Sequence, residues 1–334
     1  MDKPEPVNPG NLLALSGAYW QTCALHAGVK LDLFSAIGRE RCTGQELAEK
    51  LDLDARALFM LLNALCAMGL LTKKGDDYAS TPEAYTLLSK ASSGYVGHMV
   101  MHHHHLVESW ANLDRAVATG EPVRNHADRD SDEYRESFLM GMFNIAMATA
   151  PQLVPTIDIK ERKTLLDLGG GPGTYAIHFC MENPGLRAKV LDLPTTKPFA
   201  EKTIARFKQE EKVEFVGGDF LNDPIPGTHD VIWLSHILHG ESPSDCRKIV
   251  NKAVFALNPG GMIIIHDFIL DNDKTKPLFP ALFSLNMLIG TQGGQAYSEA
   301  EIFSMLEDAG VGEIQRTSFR GPTDSGVITG VVPR

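Results

Sequence analysis

From Thr164 onward, short apolar runs alternate with helical stretches: TLLDLGG, AKVLDL, VEFVGGD, DVIWLSH and GMIIIHDF, followed by GEIQRTSF and GVITGVVP. This alternation predicts parallel strands joined by crossover helices, a doubly wound α/β sheet covered on both faces. Such a sheet binds its ligands at the carboxyl ends of the strands. The chemistry-bearing side chains of this half fall at those ends: Asp167, Asp192, Asp219, His236, His239 and Asp267.

The first half reads differently. LDLFSAI, TGQELAEKL and DARALFMLLNALCAMGLL are three short helices, and TKKGDDYASTP is a hairpin turning at Gly75 and Asp76. Thr43 and Glu46 have capping-box spacing. Three helices and a hairpin make a winged helix, so a DNA-binding regulator is the rival from another functional class. Charge opposes it: residues 1–90 hold nine Lys/Arg against eleven Asp/Glu, and the would-be recognition helix offers only Arg56 over Leu, Phe and Met. An apolar surface of that kind suits a partner subunit. The net charge of -11 also repels phosphate backbones and acidic membrane surfaces. No apolar run near the roughly 18 residues of a membrane span is expected. The opening MDKPEPVNPGN has no signal-peptide pattern, and five scattered cysteines (Cys23, Cys42, Cys66, Cys180, Cys246) suit a reducing cytoplasm.

Two further segments invite functional readings. His98 with His102, or His102 with His105, has one-turn spacing, but no Cys, Asp or Glu nearby completes a metal set. Partly buried histidines on a helix near the substrate cavity are the expectation, and no metal is expected anywhere in the chain. SDEYRESFLMGMFNIAMATA (131–150) reads as an acidic first turn followed by a Met- and Phe-rich core helix.

Strand one ends in LLDLGGGPGTYA, where glycines let the backbone turn sharply and approach a ligand. GPGTYA also satisfies a dinucleotide-site pattern, so glycines alone do not decide. Asp167, Asp192 and Asp219 at three successive strand tips suit ribose hydroxyls, an adenine amine and positive charge, and they repel a pyrophosphate. S-adenosylmethionine has a sulfonium, an ammonium and no phosphate.

The order DLGGGPG, VLDLP, GGDF, DVIWLSHILH, NPGG (258–261) and the GG at 293–294 resembles class I S-adenosylmethionine-dependent O-methyltransferases. More narrowly, the chain is similar to the plant caffeate and acetylserotonin O-methyltransferase family with its bacterial small-molecule members. The resemblance implies a Rossmann-like, mostly parallel seven-stranded sheet carrying the donor site, and an N-terminal winged-helix domain through which the protein forms a homodimer. The corresponding domains are 1–98 for dimerisation, 99–154 for connecting helices along the acceptor pocket, and 155–334 for catalysis. It places Gly169, Gly170 and Gly171 against the methionine part of the donor, Asp192 on the ribose hydroxyls, and Asp219 with Phe220 around the adenine; Asp167 and Leu193 are further donor-binding candidates. Ser235 stands where plant members have a cofactor-contacting Lys. His239 falls at the general base and Asp267 at its supporting carboxylate. Phe143, Met147, Asn286 and Met287 fall in the lining of a flat, apolar small-molecule acceptor.

The sequence departs from the family at several places. Gly240 and Glu241 replace the Asp and Trp that follow the base, and Ala296 replaces a second supporting Glu. O-methylation of an aromatic or polyketide-like hydroxyl is the expectation. C-methylation, or donor binding without methyl transfer, is the alternative. Neither nucleic acid nor membrane is an expected partner.

Overall fold

A computed structural model describes residues 7–124 and 132–334; the side chains of Asp132 and Glu133, and with them the expected acidic turn, lie outside that description, as do residues 1–6. The chain divides into two compact units, Met1–Leu106 with Glu136–Gly141, and Val107–Arg135 with Met142–Arg334.

The first unit begins with α1 (Pro9–Gly17), α2 (Tyr19–Lys30) and α3 (Leu33–Ile37). It continues with β1 (Cys42–Thr43), α4 (Gly44–Leu51), α5 (Ala55–Ala67), β2 (Leu71–Lys74), β3 (Asp77–Ser80), α6 (Pro82–Leu88) and most of α7 (Gly97–Trp110). The expected capping box forms: Glu46 N donates to Thr43 Oγ1 and Thr43 N donates to a Glu46 carboxylate oxygen. β2 and β3 pair antiparallel across Gly75 and Asp76, and β1 adds to β3. Leu33, Phe34, Leu47, Leu62, Leu65 and Tyr78 fill the core. Helix α1 buries nothing, and Leu13, Leu15 and Trp20 stand 72%, 74% and 69% exposed. On α7, His104 faces α2, with Nε2 accepting from Lys30 Nζ at 3.1 Å and the ring edge-on to His26.

The second unit includes α8 (Leu113–Thr119) and the end of α9 (Asp132–Leu153), then β4 (Thr164–Leu168), α10 (Thr174–Glu182), β5 (Arg187–Asp192), α11 (Lys197–Arg206) and β6 (Val213–Gly217). After these come β7 (His229–Ser235), α12 (Pro243–Phe255), β8 (Leu257–Phe268), α13 (Leu278–Gly290), α14 (Glu299–Asp308), β9 (Gly312–Arg320) and β10 (Ser325–Val331). The seven strands lie in the order β6-β5-β4-β7-β8-β10-β9. The first five are mutually parallel, and β10 runs antiparallel to both β8 and β9. β8 starts earlier than its apolar run suggests, because Leu257 already pairs with His229 and the NPGG turn rides within the strand.

Alternation along the strands builds both faces. Leu166, Leu168, Ile232, Leu234, Ile263 and Ile265 pack against α12 and α14, whereas Leu165, Val231, Trp233 and Ile264 pack against α10 and the end of α9. One expectation needs correction: Tyr134–Thr156 is a helix long and apolar enough to cross a membrane by length and composition. Half of it is buried, and Ala146, Ala150 and Leu153 belong to the sheet's core, so the apolar run is used in packing. Strand order reverses around β4, whose neighbours are β5 and β7. The tips of these three strands therefore frame the crevice where such sheets bind ligands.

Candidate active site

Asp167 is the penultimate residue of β4, 1% exposed, and points into the face built with α10. Its Oδ2 accepts from Ala176 N at 3.2 Å, while Oδ1 has no hydrogen-bond partner among the described residues. Burial, with the nearby Asp192 carboxylate adding to it against the Ala176 bond, pushes its pKa up to about 7. The glycine turn follows at once. Gly169 has φ +68, and a Cβ there would lie 2.3 Å from Ile237 Cδ1; a Cβ on Gly170 would lie 2.5 Å from the Asp167 carboxyl carbon. Bare backbone is thus required at both positions, and Gly171 faces open space. Asp192, at the tip of β5, closes the turn: Oδ2 accepts from Gly171 N at 2.8 Å, and Oδ1 from Leu193 N at 2.7 Å and Thr196 Oγ1 at 2.9 Å.

The loop after β6 brings in Asp219 and Phe220. Asp219 Oδ1 accepts from the backbone N–H groups of Leu221 and Asn222, and Oδ2 from Asn222 Nδ2 at 2.8 Å. The Asn222 side-chain bond, aided by those amides, holds the carboxyl below the usual carboxylate range. Phe220 Cε1 lies 3.1 Å from the Cβ position of Gly169, so this loop forms a wall of the glycine turn.

Beyond β7 the backbone makes a left-handed turn at His236, φ +58, and its N–H donates to His266 O. A short 3-10 turn, Leu238–Gly240, then presents His239. Its Nδ1 is 2.6 Å from Asp267 Oδ1, and Asp267 Oδ2 accepts from His239 N at 3.3 Å. No hydrogen bond to His239 Nε2 is found among the described residues. Burial opposes charge on Asp267, but the His239 and His236 imidazoles outweigh it and hold the carboxyl well below its usual range. The carboxylate therefore fixes the Nδ1–H tautomer of His239 and leaves Nε2 as the basic atom. His236 Nδ1, buried and without a hydrogen-bond partner among the described residues, lies 3.7 Å from the same Asp267 oxygen. The ligand atoms of His236, His239 and Asp267 all lie within 4.8 Å of one another. The 2.6 Å contact is a hydrogen bond and is closer than two ligands sit around an ion bound at about 2.0–2.1 Å.

Aromatic rings surround the dyad. Phe283 of α13 meets the His239 ring edge-on at 4.7 Å, and Phe268 lies stacked 5.7 Å from it. One turn after Phe283, Asn286 and Met287 are buried, and Asn286 Oδ1 accepts from Trp110 Nε1 at 3.2 Å and from an Arg124 terminal nitrogen at 3.4 Å. The Arg206 guanidinium sits 5.4 Å above the Phe143 ring, and Met147 is half-buried one turn later. Ala296 is 1% exposed, supplies no carboxylate, and donates its N–H to Ser284 Oγ. Ser235 Oγ shares a 2.9 Å hydrogen bond with His266 Nδ1, whose Nε2 in turn meets Ser325 Oγ at 2.9 Å. Sequence reasoning passed over His266 and the phenylalanines. The only signal for His266 was its place beside Asp267 in IIIHDF.

This arrangement has counterparts. Residues 110–312 match the O-methyltransferase domain, and residues 13–90 match the O-methyltransferase dimerisation domain. The chain belongs to the O-methyltransferase family. This methyltransferase is 33% identical over 334 residues, 98% of its own length and 96% of the other's, to the 3-hydroxy-5-methyl-1-naphthoate 3-O-methyltransferase of Streptomyces sahachiroi. It is 33% identical to the tetracenomycin polyketide synthesis 8-O-methyl transferase of Streptomyces glaucescens, over 94% of each chain. Among solved structures, PigF from Serratia with SAH superposes with a TM-score of 0.89 at 25% identity, over 97% of this chain and 100% of that one. The methyl donor of the enzyme is S-adenosylmethionine, and the residues present fit it: an orphaned buried carboxylate oxygen for a cation, beside a turn that only glycine backbone can form.

Proposed function

We propose that the enzyme methylates a hydroxyl oxygen of a flat aromatic or polyketide-like small molecule, with His239 as general base and Asp267 as the group that orients it. The observation that carries this is the 2.6 Å bond from His239 Nδ1 to Asp267, which leaves Nε2 as the ring's basic atom among the aromatic rings of Phe268 and Phe283. When bound, the donor supplies an electrophilic methyl group. Asp167 and Gly169 to Gly171 hold its methionine end, Asp192 and Leu193 its ribose, and Asp219 with Phe220 its adenine, with Ser235 beside them. Nε2 of His239 takes the acceptor's hydroxyl proton, and Asp267 stabilises the resulting imidazolium. Phe143, Met147, Asn286 and Met287 line the acceptor's place, and the aromatic shell keeps water from the oxygen. The two Streptomyces relatives, named for a naphthoate and a polyketide acceptor, support that substrate class.

The wider organisation follows the same reading: residues 1–98 dimerise, 99–154 border the acceptor and 155–334 bind the donor. The bare apolar surface of α1 supports a homodimer, as does the match to the dimerisation domain. The acidic first 90 residues disfavour nucleic acid, and the buried apolar helix disfavours a membrane role, which suits a cytoplasmic enzyme. Labelled-methyl transfer to a panel of hydroxylated naphthoates and polyketides tests the acceptor class. Label on oxygen is expected, label on carbon would replace the reading, and a single-chain mass in solution would remove the dimer.

Asp167 adds a pH signature. Its folded pKa of about 7 exceeds the ordinary 3.8, so the folded protein keeps a proton that the unfolded chain loses. Its contribution to stability therefore declines as pH rises from about 4 to about 7, and is constant above. A cation placed beside Oδ1 favours the ionised form, so donor binding is expected to release a proton near neutrality and to tighten from pH 6 to 8. Calorimetry in two buffers of different ionisation heat measures this release. Identical heats and a pH-independent affinity would exclude Asp167 as the cation's partner.

A further inference from the structure

Lys252, in the last turn of α12, has no part in the chemistry above. Its Nζ donates to Phe220 O at 2.6 Å, to Leu221 O at 3.2 Å and to Asp223 O. An ammonium has three N–H donors, and here all three go to backbone carbonyls within one four-residue stretch. That stretch is the outer half of the loop that presents Asp219 and Phe220. Asp219 ties the loop from inside through Leu221 and Asn222, and Asp219 N donates to Asp223 Oδ2 at 2.9 Å. Lys252 ties it from the side of α12. Lys248, one turn earlier on the same helix, pairs with Asp245 and donates to none of these carbonyls.

We propose that Lys252 is a positioning residue for the donor site: it holds the Asp219–Asp223 segment in its binding shape and thereby sets donor affinity without touching the reacting atoms. The proposal rests on the donor-site placement given above. Charged donors make the stronger class of hydrogen bond, and a loop already ordered has less entropy to lose when a ligand arrives. Without the ammonium, three carbonyls lose their partner and Phe220 is released from the wall of the glycine turn. The His239–Asp267 pair is separately anchored on β8 and stays in place.

The test is Lys252→Met, which removes the ammonium and keeps the alkyl stem, beside Lys252→Arg, Lys248→Met and Asp192→Ala. S-adenosylmethionine binding is measured by calorimetry and amide exchange is followed over residues 218–226. Lys252→Met is expected to raise the dissociation constant about 10- to 50-fold. Its kcat at saturating donor should stay within about threefold, with faster exchange in the loop. Lys252→Arg should recover part of the affinity, and Lys248→Met should match wild type. Unchanged affinity in Lys252→Met with loss in Asp192→Ala overturns the clamp alone. Unchanged affinity in both overturns the clamp together with the donor-site placement. A fall in kcat at unchanged affinity also overturns it. Should Lys252→Met not fold, wild-type affinity with slowed turnover in Lys252→Arg counts against the proposal in the same way.

Discussion

Replacing His239 with alanine is expected to lower kcat by about 10²- to 10⁴-fold, the range contributed by a positioned general base. Donor affinity should stay within about threefold of wild type, because the glycine turn and the tips of β4 and β5 make no hydrogen bond to this ring. The size of the effect follows from the acceptor. A hydroxyl is a weak nucleophile until its proton leaves, and Nε2 of His239 is held ready to take it by the 2.6 Å bond on the other ring nitrogen. The change also strips Asp267, 3% exposed, of its main partner, leaving it Phe268 N at 2.8 Å, the residue-239 backbone N–H at 3.3 Å and the more distant His236. A buried carboxylate so deprived destabilises the fold. His239→Gln, which keeps an amide donor near Asp267, therefore accompanies the alanine variant as a folded control. Both should be slow in single-turnover assays, with residual rates rising with pH as the acceptor ionises unaided. Wild-type kcat in either folded variant would remove the base.

Asp192→Ala is expected to weaken S-adenosylmethionine binding by about 10²-fold or more. Each hydrogen bond to a charged group is worth about 1.5–3 kcal/mol, and each 1.4 kcal/mol is tenfold. Two losses combine: the carboxylate that would meet the ribose hydroxyls, and the 2.8 Å bond that holds Gly171 N in the turn. Leu193 N and Thr196 Oγ1 lose their acceptor as well. Asp192→Asn retains the side-chain volume and one oxygen, so it should fall between wild type and alanine. Calorimetry with the demethylated donor provides a second ligand that needs no turnover. Undiminished affinity in the alanine variant would show that the donor binds elsewhere.

The fold was readable because its two periodicities are written plainly. The VIWL segment of β7 and the III segment of β8 are continuous apolar runs, as strands covered on both faces must be, and they appear where expected. Thr43 with Glu46 announced a helix start from two residues three apart. No apolar run of span length is expected from the sequence, yet Tyr134–Thr156 is one by length and composition; hydropathy registers apolar length and not what covers it. Family motifs pointed to His239 and Asp267, but nothing in either peptide announced that His236 would face the same carboxylate oxygen. That meeting depends on a left-handed backbone turn, which local propensity disfavours for histidine and the packed strand ends impose.

By itself the sequence determined the alternation of strand and helix, the acidic strand tips around a glycine turn, and the aspartate and histidine at the ends of neighbouring strands. These are local facts, set by side-chain period and by the conformations that glycine alone adopts freely. Tertiary structure alone decided that Lys252 would close on Phe220, Leu221 and Asp223, that Phe283 would stand against His239, and that Arg206 would lie over Phe143. Each of these joins residues 29 to 63 positions apart in the chain. No pattern of short period encodes such a pairing. It arises when helices settle on the sheet and bring distant side chains within a few ångströms.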